Sequence, residues 1–185
     1  MLKNIKKSKR KNFIIQLTIV VMAIVFMVVY SSYASKDVRL LEYNKDGVYF
    51  KYDSTWIIDK VDTSDSHTEI QLKNINNAIM KIEVIECLNS YANNTFEEIS
   101  DILLSQIESN NMDFYREYKN LVTIGKNKCK AYEVLYESYS KDTQALVEIG
   151  IEDKQLFIIN YTNQSQFFDI SFDSVRIVMN SFKLK

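Results

Sequence analysis

The sequence contains a single histidine, His67, and the carboxylates Asp62, Asp65 and Glu69 stand beside it within eight residues. Imidazole nitrogen and carboxylate oxygen are both ligands for divalent cations, so these four side chains are the candidate metal ligands. The glycine that turns a calcium-binding loop is missing, and the spacing fits no EF-hand. The expectation is therefore a solvated polar loop with no bound metal. Cys87 and Cys129 stand alone, 42 residues apart in sequence, so neither forms half of a two-cysteine zinc site. A cysteine–histidine nucleophile would need His67 beside a thiol from a different element and a third group to orient it. Neither a glycine-rich phosphate loop nor a GxSxG elbow occurs. No catalytic residue and no cofactor is expected.

Glu97, Glu98 and Asp101 form another acidic group, explained by helix chemistry. Thr95 and Glu98 are spaced as a capping box, in which each side chain takes the other's backbone N–H. Negative charge in the first turn also suits the helix dipole. Phe96, Ile99, Leu103 and Ile107 follow at helical spacing, with Ile102 and Leu104 widening the apolar stripe. Asn110 and Asn111 end this helix.

Around it the period is two. Gly47–Tyr52 and Trp56–Ile58 read as strands flanking the turn Asp53–Thr55, and residues 61–67 as a polar turn. Thr68–Lys73 turns Ile70 and Leu72 inward, and Ala78–Glu86 does the same with Met80, Ile82 and Val84. Asp113–Ile124, Lys130–Tyr139, Thr143–Ile151 and Leu156–Tyr161 make a meander; Ala145, Val147, Ile149 and Ile151 share one face, and Gly125–Asn127 is a tight turn. Ser165–Phe182 reads as a second helix with Phe168, Phe172, Val175 and Met179 facing the sheet, followed by a short extended tail. Tyr115, Tyr118, Tyr132, Tyr136, Tyr139 and Tyr161 are spread over neighbouring strands with their hydroxyls expected at the solvent edge. Strands, helix, strands and helix joined mostly by hairpins define an α+β domain with an antiparallel sheet and helices packed on it.

Ahead of this domain the chain has a different character. Residues 1–12 carry six basic side chains and no acidic one, and residues 13–30 are apolar apart from Gln16 and Thr18. About 20 helical residues cross the roughly 30 Å hydrocarbon core, so residues 13–33 are expected to be a transmembrane anchor in contact with the lipid bilayer. The charge asymmetry places residues 1–12 in the cytoplasm and the rest outside. Cleavage after Ala34, giving a secreted protein, is the alternative; the apolar run exceeds the usual 7–15-residue signal core. Residues 34–42 read as a short spacer and residues 43–185 as the outer domain. All 24 acidic residues follow the apolar run, which leaves that domain at about −7 and argues against nucleic-acid binding. An extracytoplasmic address permits a Cys87–Cys129 disulfide, with two half-buried thiols as the plainer expectation.

Gly47-Val-Tyr-Phe-Lys-Tyr-Asp-Ser-Thr-Trp56 resembles the opening of PsbP-like domains, with Asp53 standing where that family usually has proline. Val122-Thr-Ile-Gly-Lys126 leading into Ala131-Tyr132, the strand Gln155–Tyr161 and the closing Ser181-Phe-Lys183 follow the family in order and spacing. The resemblance covers about Tyr43 to Lys185. It implies an antiparallel sheet flanked by helices, shared with Mog-type and DcrB-like proteins, a core role for Trp56, and an accessory or binding function. The expectation is thus a membrane-anchored, extracytoplasmic, non-catalytic module whose partner is a membrane or envelope protein. A small-ligand or cation-sensing domain is the nearer alternative, and an envelope hydrolase is the alternative of another class.

Overall fold

The computed structural model describes residues 39–86, 94–110, 113–152 and 154–185. The expected anchor at 13–33, most of the expected spacer, and Cys87 lie outside them. Among the described residues no helix is long and apolar enough to cross a membrane.

Residues Arg39–Lys185 form one compact unit. Strands β1 (Leu40–Lys45), β2 (Val48–Asp53), β3 (Trp56–Thr63), β4 (His67–Asn74) and β5 (Ile79–Glu86) lead to helix α1 (Phe96–Asn110). Strands β6 (Phe114–Ile124), β7 (Cys129–Ser138), β8 (Thr143–Glu152) and β9 (Gln155–Gln164) follow. The chain closes with α2 (Ser165–Phe168), a 3₁₀ turn (Asp169–Ser171), α3 (Phe172–Ser181) and β10 (Lys183–Leu184). A seven-stranded sheet runs in the order β3-β4-β5-β9-β8-β7-β6, and a three-stranded one in the order β1-β2-β10. Every pairing is antiparallel. The large sheet is two meanders, β3–β5 and β6–β9, joined where β9 returns to lie against β5. The α+β class and the helix-flanked antiparallel sheet thus appear as the sequence pattern requires.

Alternation divides the sheet into two faces. On one, Ile70, Leu72, Met80, Ile82, Val84, Phe157, Ile159 and Tyr161 join Val175, Val178 and Met179 of α3 and Val48 and Phe50 of β2 in the main core. On the other, α1 sets Ile99, Leu103 and Leu104 against Val134, Tyr136, Ala145, Val147 and Ile149. The capping box holds α1 at its start: Thr95 N donates to Glu98 Oε2 at 2.8 Å and Glu98 N to Thr95 Oγ1 at 3.3 Å. Trp56 is buried, edge-on to Tyr161 with ring centres 6.3 Å apart.

Five expectations are corrected. Leu40–Lys45, whose first residues were read as spacer, is a strand paired with β2. Strand β3 runs on to Thr63, so the polar turn shrinks to residues 64–66. The last helix is broken into three. The Tyr161 hydroxyl donates to Phe168 O at 3.0 Å and Asn163 Nδ2 to Phe167 O at 3.0 Å, which draws those carbonyls away from a continuous helical ladder. Ile102 does not widen the apolar stripe of α1, because its side chain is exposed. Tyr136 and Tyr161 are also buried rather than at the solvent edge.

Candidate functional site

The half of the sheet that α1 leaves uncovered is where the chemistry-bearing side chains gather. Strands β3, β4 and β5 bury one face and present the other. Thr68, Ile70 and Leu72 of β4 are buried, whereas His67, Glu69, Gln71 and Lys73 between them are half-exposed. In β5 Met80, Ile82 and Val84 are buried and Lys81, Glu83 and Ile85 half-exposed. No described element covers this second face.

A bulge decides what β3 adds to it. Ile58 pairs with Leu72 and Lys60 with Gln71, leaving Asp59 as the extra residue. Strict alternation would have aimed Lys60 and Asp62 at the core; the bulge resets them to the open face. Asp59 accepts from Gln71 Nε2 at 2.9 Å and lies 2.7 Å from Lys73 Nζ.

On this surface His67 and Glu69, two residues apart on β4, meet Glu83 of β5, the register partner of Glu69. One ligand atom from each of the three lies within 4.8 Å of the others, a spacing suited to a small cation. A cation is already present in the form of an ammonium group. Lys81 Nζ lies 2.8 Å from Glu69 Oε2 and 3.1 Å from Glu83 Oε1, while Lys60 Nζ stands 3.6 Å from Glu69 Oε1. His67 Nε2 is 3.6 Å from Glu83 Oε2. The hydrogen bond from Lys81 holds the Glu69 carboxyl below its ordinary range, against the opposing effect of partial burial. A divalent ion here would have to displace that ammonium.

Of the four ligand candidates read from sequence, the fold brings together His67 and Glu69. Asp62 is the register partner of Glu69 but is turned to Lys60, at 3.6 Å. Asp65, in the β3–β4 turn, is outside that group of three and lines a recess of about 230 Å³ that His67 also lines, with Asp46, Ser64, Glu86 and Gln155. Glu83 was missed; the β4–β5 hairpin register, which sets it opposite Glu69, was the signal that could have found it.

A second group legible only in three dimensions is Glu148 of β8. It faces the main-core side between Leu146 and Gly150, is 3% exposed, and its Oε2 has no protein partner among the described residues. Burial, with Glu133 alongside, pushes its pKa up to about 8, against the opposing charge of Arg176. Cys129 and His67 are not brought together. They lie on β7 and β4, four strands apart in the sheet, about 19 Å at the usual strand spacing. The Cys129 thiol donates to Ile151 O at 3.3 Å. A cavity of about 100 Å³ under α1, lined by Ile107, Glu108, Phe114, Tyr136, Ala145 and Asn160 among others, is well below the roughly 300 Å³ of ordinary ligand pockets.

No family model and no curated protein sequence matches the chain. Solved structures do. The solution structure of cyanobacterial PsbP (CyanoP) from Synechocystis sp. PCC 6803 superposes with a TM-score of 0.59 at 14% identity, over 82% of this chain and 95% of that one. A crystal structure of a protein from Bacteroides thetaiotaomicron VPI-5482 gives a TM-score of 0.50 at 12% identity, over 78% of this chain and 48% of that one. The described domain is PsbP-like in fold.

Proposed function

We propose that this chain is a membrane-anchored, extracytoplasmic accessory module that binds a membrane or envelope protein through the open face of β3–β5 and performs no catalysis. The observation that carries the reading is the one-sided burial of those strands. They present a flat ladder of paired charges of both signs, including Lys60, Glu69, Lys81 and Glu83. Mixed charge fixed on a rigid sheet favours a partner with a complementary pattern over a small molecule, because it offers register and orientation without a concavity. The apolar run at 13–30 behind a wholly basic amino terminus supports the anchor and its orientation. The PsbP-like fold supports an accessory role by analogy only.

The spacing of His67, Glu69 and Glu83 favours a second reading, a cation-sensing surface. Cross-linking the tagged full-length protein in intact cells, then identifying what co-purifies from solubilised membranes, separates the two. One dominant envelope or membrane protein is expected. Reproducible absence of any partner, together with a thermal shift on adding a divalent metal, would replace the first reading with the second.

A further inference from the structure

Ten large hydrophobic side chains are exposed among the described residues, and five of them, Leu40, Ile57, Ile75, Ile79 and Ile170, lie at one end of the domain. Strand register and hydrogen bonds tie that end together. Leu40 pairs with Asp53, and Ser54 N donates to Arg39 O at 2.9 Å, which sets the start of β1 against the β2–β3 turn. Ile57, Lys73 and Ile79 are successive register partners across β3, β4 and β5. Ile75 follows Asn74 directly in the β4–β5 turn, and Asn74 Nδ2 donates to Ser171 Oγ at 3.2 Å, bringing the 3₁₀ turn that carries Ile170 alongside. Ile75 is 85% exposed and Ile170 69%. Isolated exposed aliphatics need no explanation, but a set gathered at a single pole does.

The chain itself says what meets this pole. Arg39 and Leu40, where the described domain begins, lie in it. Leu40 stands only ten positions after Tyr30, the end of the apolar run, a reach of at most about 35 Å when fully extended. We infer that this pole is a membrane-contact surface, whose exposed aliphatic side chains enter the interfacial zone of the bilayer that carries the anchor. The occupant is lipid, met through apolar insertion; the net negative domain offers no excess of positive charge to bind anionic headgroups. The inference rests on the anchored reading proposed above.

The test uses the full chain with Cys87→Ser and Cys129→Ser, reconstituted into phosphatidylcholine–phosphatidylglycerol vesicles. An environment-sensitive fluorophore is placed at Ile75→Cys, or at Leu121→Cys on the opposite edge strand β6 as control. Doxyl-labelled lipid should remove most of the emission at position 75 and leave position 121 bright; adding Ile57→Asp and Ile170→Asp should restore the emission at 75. If the protein co-floats with vesicles but position 75 stays bright, the pole does not touch lipid and this inference falls while the anchor stands. Should position 75 be shielded yet unaffected by doxyl lipid, a second copy covers the pole and the inference also falls. Failure to co-float would overturn the anchor and the inference together.

Discussion

Glu133 of β7 and Glu148 of β8 are register partners on the same face of the sheet, one half-exposed and the other sealed in the core. Two carboxylates so placed favour a proton on the buried one. Glu148 therefore holds a pKa of about 8, raised from 4.5 mainly by burial. A carboxyl whose pKa is higher folded than unfolded contributes most to stability below the unfolded value, and loses that contribution as pH rises towards and through the folded one. The wild-type melting temperature should fall between pH 5 and pH 9 relative to that of Glu148→Gln, which cannot ionise. The gap should reach on the order of a few kcal/mol at the alkaline end. Parallel pH profiles for the two proteins would show that Glu148 is charged or solvated in the fold.

Lys81 acts as the resident cation of the open face. Lys81→Met should leave Glu69 and Glu83 facing each other without their shared ammonium, at a cost of about 1 kcal/mol typical of half-exposed pairs. The same variant should gain stabilisation by zinc that the wild type lacks, because His67, Glu69 and Glu83 are then free to ligate. Thermal melts with and without zinc decide it. Equal stabilisation of both proteins would mean that the ammonium does not compete.

Trp56 is 1% exposed and packed against Tyr161. Trp56→Ala should destabilise the domain by about 3–5 kcal/mol, as large aromatic truncations in cores do. An unchanged denaturant midpoint would contradict its placement.

Gly150 pairs across the sheet with Phe157, whose ring lies over it. A Cβ at position 150 would stand 2.1 Å from Phe157 Cζ and within 3 Å of two further ring carbons. Gly150→Ala should therefore cost several kcal/mol through overpacking, on the order of 1–3 or more. Adding Phe157→Leu should recover part of the loss, which chemical denaturation of the single and double variants would measure.

What the sequence disclosed and what it withheld follow from the range of each interaction. The capping box at Thr95 and Glu98 and the inward set Ile70, Leu72, Met80, Ile82 and Val84 are local or periodic, and were read correctly. The break in the last helix depends on Asn163 and Tyr161 reaching forward to carbonyls, which no periodicity encodes. Strand β1 is short, with Tyr43 its one buried residue, so it carried little alternation to detect. The grouping of His67 and Glu69 with Glu83 was not legible, because the β4–β5 register sets it, while Asp62, turned to the same face by the β3 bulge, is held to Lys60. Glu148 was hidden for a related reason: β8 is covered on both faces, so a polar residue between apolar ones did not mark solvent.

The most direct test of the account places a photo-cross-linking residue at Gln71, in the middle of the open face, in the full-length protein in intact cells. The same residue at Lys126, in the β6–β7 turn, serves as the comparison. The account predicts one discrete adduct with a membrane or envelope protein from position 71 and none from position 126. No adduct from position 71, or the same adduct from both positions, would contradict the assignment of this face as the docking surface.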